Sequence, residues 1–161
     1  MIKFLFFIPL LFISNLFSLE LKCHFEEVYV DGSVQNGFFL IKDQKLRYQY
    51  SAEELFTIIH NYDQFFLVKN NDQKIVNNIT QNTEIIEELL RLSHKYPDIE
   101  KEYISDDLII KIEKALSGNF IKRVLINSPN IKVSIYFNDC QKIKIPNRYF
   151  SYNPFFEYKL N

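Results

Sequence analysis

Tryptophan is absent from this sequence, and glycine (3) and proline (5) are scarce among its 161 residues. Collagen-like, Gly-rich linker and elastic low-complexity chains are thereby excluded. An excess of one charge is lacking too. Lys plus Arg number 19 and Asp plus Glu 20, for a formal net charge of -1, so no basic field for nucleic acid exists. Histidine is rare: His24, His60 and His94 include no i, i+4 pair and read as surface or half-buried side chains. The two cysteines stand without a second Cys or His pair, which excludes a zinc site.

Catalytic signatures are missing as well. Gly32, Gly37 and Gly118 build neither a nucleophile elbow nor a phosphate loop. The acidic pairs Glu26-Glu27, Glu53-Glu54, Glu87-Glu88 and Asp106-Asp107 are adjacent in sequence. Neighbours on a strand point to opposite faces, so these pairs read as solvent-facing charge. Asn78-Ile79-Thr80 fits the glycosylation sequon, which has meaning only in a eukaryotic secretory pathway. No metal or cofactor is expected, and an enzymatic role ranks behind binding.

What is present is apolar and aromatic. The chain is 47% hydrophobic and 16% aromatic, with 16 Phe and 10 Tyr. That composition and length suit one globular domain. Residues 1–18, MIKFLFFIPLLFISNLFS, place Lys3 before an apolar run from Phe4 to Ile13 and end on the small Ser18. This is the pattern of a secretory signal peptide. Pro9, Ser14 and Asn15 make the run short for a span of about 20 residues. The expectation is an exported chain over 19–161; the alternative is an uncleaved anchor. In an oxidising compartment Cys23 and Cys140 are candidates for one disulfide.

From there the period is two. Cys23 to Val30 ends at Asp31-Gly32, a hairpin signal. Gly37 to Lys42 is nearly all apolar, and Leu46, Tyr48 and Tyr50 alternate with Arg47 and Gln49. Leu55 to His60, Phe65 to Lys69 and Lys74 to Ile79 follow between polar turns, which predicts a meander of about six strands. Ile85, Ile86, Leu89, Leu90 and Leu92 then recur at helical spacing up to Pro97, and Pro97 to Tyr103 reads as a further helical turn. Strands return at Leu108 to Glu113, Phe120 to Ile126, Ile131 to Phe137, Gln141 to Ile145 and Tyr149 to Tyr158.

The expected fold is mainly β, one curved antiparallel sheet. A helix of about thirteen residues, roughly 20 Å long, cannot cover one face of some ten strands. Either the sheet closes as a barrel or an apolar groove stays open, and both leave room for an apolar ligand. Leu46, Tyr48 and Tyr50 share one strand face, as do Val133, Ile135 and Phe137; both stripes are expected to line the groove. Ile85, Ile86, Leu89 and Leu90 are expected on the underside of a lid. Arg47 reads as a solvated charge on the outer face.

The order of segments from about Lys22 to Tyr158 resembles the periplasmic outer-membrane lipoprotein carrier (LolA-like) family. The resemblance rests on Cys23-His24-Phe25-Glu26-Glu27, on Gly37-Phe38-Phe39-Leu40-Ile41-Lys42 and on Lys45-Leu46-Arg47-Tyr48-Gln49-Tyr50. It continues through Asn61-Tyr62-Asp63-Gln64-Phe65-Phe66-Leu67-Val68, a helical stretch, and Lys132-Val133-Ser134-Ile135-Tyr136-Phe137. It implies a half-open β-barrel with a helical lid, acting as a periplasmic monomer. Such a carrier takes the acyl chains of lipoproteins from an inner-membrane lipoprotein-release complex to an outer-membrane acceptor. Acyl chains gain about 0.8 kcal/mol per buried methylene, so they need a dry pocket in transit. The chain departs from the family in starting its first strand almost at the expected cleavage site, without a preceding helix. Asp43 and Gln44 stand where the family has Arg-Pro, so that lid-holding role is not carried over. Tyr48 and Phe66 are expected to replace the family's Trp in packing. The competing expectation is a secreted lipid-binding or protein-interaction domain, a sensor or adaptor, on the same half-barrel.

Overall fold

The computed structural model describes residues 20–62, 64–72, 74, 75, 95, 99–115 and 121–151. Among these residues nine strands are present: β1 (Glu20–Tyr29), β2 (Val34–Lys42), β3 (Lys45–Tyr50), β4 (Phe56–Asn61), β5 (Gln64–Lys69), β6 (Glu102–Ser105), β7 (Leu108–Lys114), β8 (Ile121–Asn127) and β9 (Lys132–Lys142). They form one curved, open antiparallel sheet in the order β5-β4-β3-β2-β1-β9-β8-β7-β6. Two meanders thus meet at β1 and β9, the first and last strands of the sheet in sequence. Consecutive antiparallel strands need only short turns, which is why polar tetrads in the sequence punctuate them so regularly. At the first turn Asp31 accepts from the Ser33 amide and hydroxyl, and Gly32 takes φ +82° without a Cβ penalty.

Alternation sorts the side chains. Leu21, Cys23, Phe25 and Glu27 of β1 pair in register with Ile41, Phe39, Gly37 and Gln35 of β2 on one face, here called inner, and Tyr29, paired with Val133 of β9, continues it. The same face carries Leu46, Tyr48 and Tyr50 of β3 and Val133, Ile135 and Phe137 of β9. Val124 and Ile126 of β8 and Ile110 and Ile112 of β7 complete it. One packed cluster runs along this face from β3 to β7, five positions apart in the sheet.

Among the described residues, the outer face is covered over β2 to β4. The chain after β9 turns back as residues 143–146 and a 3-10 helix, Asn147–Phe150. Phe150 and Ile145 bury Leu40 beneath this strap. Glu20 accepts from the Ile145 amide, and Lys42 donates to the Ile145 carbonyl at 2.8 Å while pairing with Glu20 at 3.2 Å.

Cys23 and Cys140 are joined by a disulfide, 117 residues apart in sequence. In the chain-entropy model so long a loop contributes about 4–5 kcal/mol. The bond sits at a bulge. Lys22 faces Gln141 and His24 faces Asn138, so Asp139 and Cys140 together oppose Cys23. Asp139 takes φ +51° there.

Several expectations need correction. The two late strands expected at Ile131 to Phe137 and Gln141 to Ile145 are one bulged strand, β9. Tyr149 begins no strand: Pro146 has φ -61° and leads into the 3-10 helix. Tyr103 belongs to β6, not to a helical turn. The strand expected over Lys74 to Ile79 shows, among the described residues, a single bridge, Val68 to Ile75. Among those residues the only helical element is the 3-10 helix, which lies on the outer face, and a helical lid finds no support. The lid residues Ile85, Ile86, Leu89 and Leu90, and the leader 1–18, lie outside the described residues.

Candidate functional site

The inner face is built from β-branched and aromatic side chains whose period matches the pleat. The register brings the two expected stripes onto the same face. Leu46, Tyr48, Val133 and Ile135 are buried in one cluster, with Tyr50 and Phe137 half-buried against it. Phe39 links them, 6.3 Å from the Tyr48 ring and 5.7 Å from that of Phe137.

At the β1–β2 hairpin end of this face stands a carboxylate. Glu27 is 5% exposed. Its Oε1 accepts from the hydroxyls of Tyr48 (2.7 Å) and Tyr50 (3.1 Å), and its Oε2 from those of Tyr29 (2.7 Å) and Tyr50 (3.0 Å). No lysine or arginine among the described residues pairs with it. The ring of Phe25 stacks on Tyr48 at 3.9 Å, and Tyr50 meets both edge-on at 5.5 and 5.6 Å. Burial, above all, pushes the three phenols up from their ordinary range, and the Glu27 charge adds to it.

Glu26-Glu27 is therefore not a pair of solvent-facing charges. Glu26 is exposed, whereas Glu27 shares the face of Cys23 and Phe25. The signal was in the sequence: counting by two from Phe25 reaches Glu27. Arg47 also needs correction. It lies on the outer face, but is 6% exposed beneath the strap, donating to the Gln49 side chain at 2.7 and 2.9 Å and to the Tyr149 carbonyl at 3.1 Å. Asp43 takes φ +53° at the β2–β3 turn.

Of the histidines, His24 is exposed, His60 has Nδ1 3.2 Å from the Gln44 carbonyl, and His94 lies outside the described residues. Among the described residues no group of three or more His, Cys, Asp or Glu is placed to hold a metal ion. None of their helices is long and apolar enough to cross a membrane. No protein-family model matches the chain, and no curated protein matches it.

Proposed function

We propose that this chain is a periplasmic carrier that holds the acyl chains of lipoproteins against the inner face of its sheet and moves them from inner to outer membrane. The observation that carries the reading is the continuous apolar face. It joins Leu46, Tyr48 and Tyr50 to Val133, Ile135 and Phe137 on an open sheet whose order ends at β5 and β6. An acyl chain is extended and non-directional in its contacts, so an elongated apolar surface suits it better than a closed polar pocket.

The connection between the sheet edges also reaches that face. β5 and β6 are the two edge strands, and residues 70–101 join one edge to the other. The described end of this connection, Ile99, is 4% exposed and packs in the inner-face cluster. Ile85, Ile86, Leu89 and Leu90, the residues expected for a lid, belong to this connection in sequence and lie outside the described residues. The Cys23–Cys140 bond suits an oxidising compartment.

Native purification from a periplasm, followed by mass spectrometry of whatever co-purifies, tests the proposal. A stoichiometric acylated polypeptide is the expected result. Free phospholipid alone would move the role to general lipid binding. An empty protein that also refuses an added acyl probe would overturn the reading and leave a protein-interaction domain.

A further inference from the structure

We propose that Glu27 gives the inner face a charge preference: it admits acyl chains carried as neutral esters or amides and turns away those ending in a free carboxylate or phosphate. The inference rests on the acyl-binding reading above and adds to it the class of head group. Its basis is geometric. Glu27 lies within the apolar face, in register between Gln35 on β2 and Ile135 on β9. Among the described residues three phenolic hydroxyls supply its partners, and each is a neutral donor. They satisfy the oxygens of the carboxylate and leave its charge without a counter-ion among the described residues.

The surroundings keep that charge felt. Phe25 and Tyr48 wall the site on one side, so solvent screening is weak and a second anion at close range meets strong repulsion. Tyr29 and Tyr50 are half-buried and sit at the hairpin end of the face. A ligand lying along the face with its polar end here meets the phenol oxygens of Tyr29 and Tyr50, acceptors for a hydroxyl or amide donor, with the buried carboxylate directly beneath them. A cation would also be tolerated, through both the carboxylate and the ring faces. An anion would be the one head group with no partner.

The test compares two ligands with the same chain, glycerol monolaurate and laurate, by calorimetric titration into the disulfide-bonded mature protein. Binding of the neutral ester about tenfold or more tighter than the anion is expected, since like charges set specificity through repulsion. In Glu27→Gln the gap should close, mainly by improved laurate binding. Gln keeps the shape and an acceptor for the phenols; near-UV circular dichroism checks the fold. Equal affinities in the wild-type protein would overturn the proposal without any variant, as would an unchanged gap in a folded Glu27→Gln. If neither ligand binds, the acyl-binding reading falls and this inference falls with it. If the ester binds but charge makes no difference, only this inference falls.

Discussion

Phe25 and Gly37 stand opposite each other across β1 and β2, and the Phe25 ring occupies the space that a side chain on Gly37 would fill. A Cβ there would lie 2.6 Å from Phe25 Cζ and 2.0 Å from the Gln49 carbonyl oxygen. The first contact could be relieved by moving a ring, at the expense of its stack on Tyr48. The second is backbone and cannot give without breaking the β2–β3 ladder. Gly37→Ala is therefore expected to cost about 3 kcal/mol, the upper end for overpacking. Urea denaturation read by circular dichroism measures it, and a midpoint within error of the wild type would refute the account.

The strands were legible because their period is two and their turns are polar. Leu46, Tyr48 and Tyr50 alternate cleanly with charged or amide neighbours, so their common face could be read before any register was known. Other features were hidden for physical reasons. Asn138-Asp139 has the composition of a turn, yet Asn138 pairs with His24, and Asp139 with Cys140 makes a bulge held in line by pairing to β1 on both sides. Tyr149 and Phe150 have strand-like side chains, but Pro146 and the need to cover Leu40 fold them into a 3-10 turn. Glu27 and Arg47 were read by residue type as solvated. Their burial depends on partners distant in sequence: Tyr48 and Tyr50 for one, the strap carbonyl of Tyr149 for the other.

The strap makes a prediction at acid pH. The Ile145 amide, and then Lys42, hold the Glu20 carboxyl below the ordinary carboxylate range. Its folded pKa is thus lower than its unfolded value of about 4.3. The stabilisation is present above that value and is lost as pH falls through the folded pKa. Amide hydrogen exchange should show the Ile145 protection factor dropping below about pH 4 while β1–β9 amides stay protected. Glu20→Gln should have low protection at Ile145 at every pH. A strap equally protected in both proteins would show that Glu20 does not hold it.

The phenols make the opposite prediction at alkaline pH. Tyr29, Tyr48 and Tyr50 have folded pKa values raised by burial and by the neighbouring Glu27 charge. Their neutral forms stabilise the fold fully below the unfolded value of about 10, and that contribution is lost as pH rises beyond it. A tyrosinate absorbance titration of the protein's 10 tyrosines should therefore split. Three phenols should appear only together with the loss of the circular dichroism signal. In Glu27→Gln the late group should titrate at lower pH. One smooth titration of all the phenols, with the fold retained, would contradict the buried cluster.

The remaining prediction concerns the connection between the sheet edges. Its described end, Ile99, is already committed to the inner-face cluster, so an apolar cover preceding it in sequence would gain most by facing the same way. Leu89 lies outside the described residues, on the apolar side expected from helical spacing. Replacing it with glutamate puts a charge where an acyl chain would lie, a change that costs several-fold to a hundredfold in affinity on the scale of about 1–3 kcal/mol for an unpaired polar group. Thermal unfolding and an intact Cys23–Cys140 bond check that Leu89→Glu keeps the fold. Uptake of a fluorescent acyl probe should fall sharply in Leu89→Glu and stay near wild type in Glu88→Gln, a change on the polar side of the same stretch. Equal loss in both would point to general damage, whereas full uptake by a folded Leu89→Glu would remove this segment from the binding face.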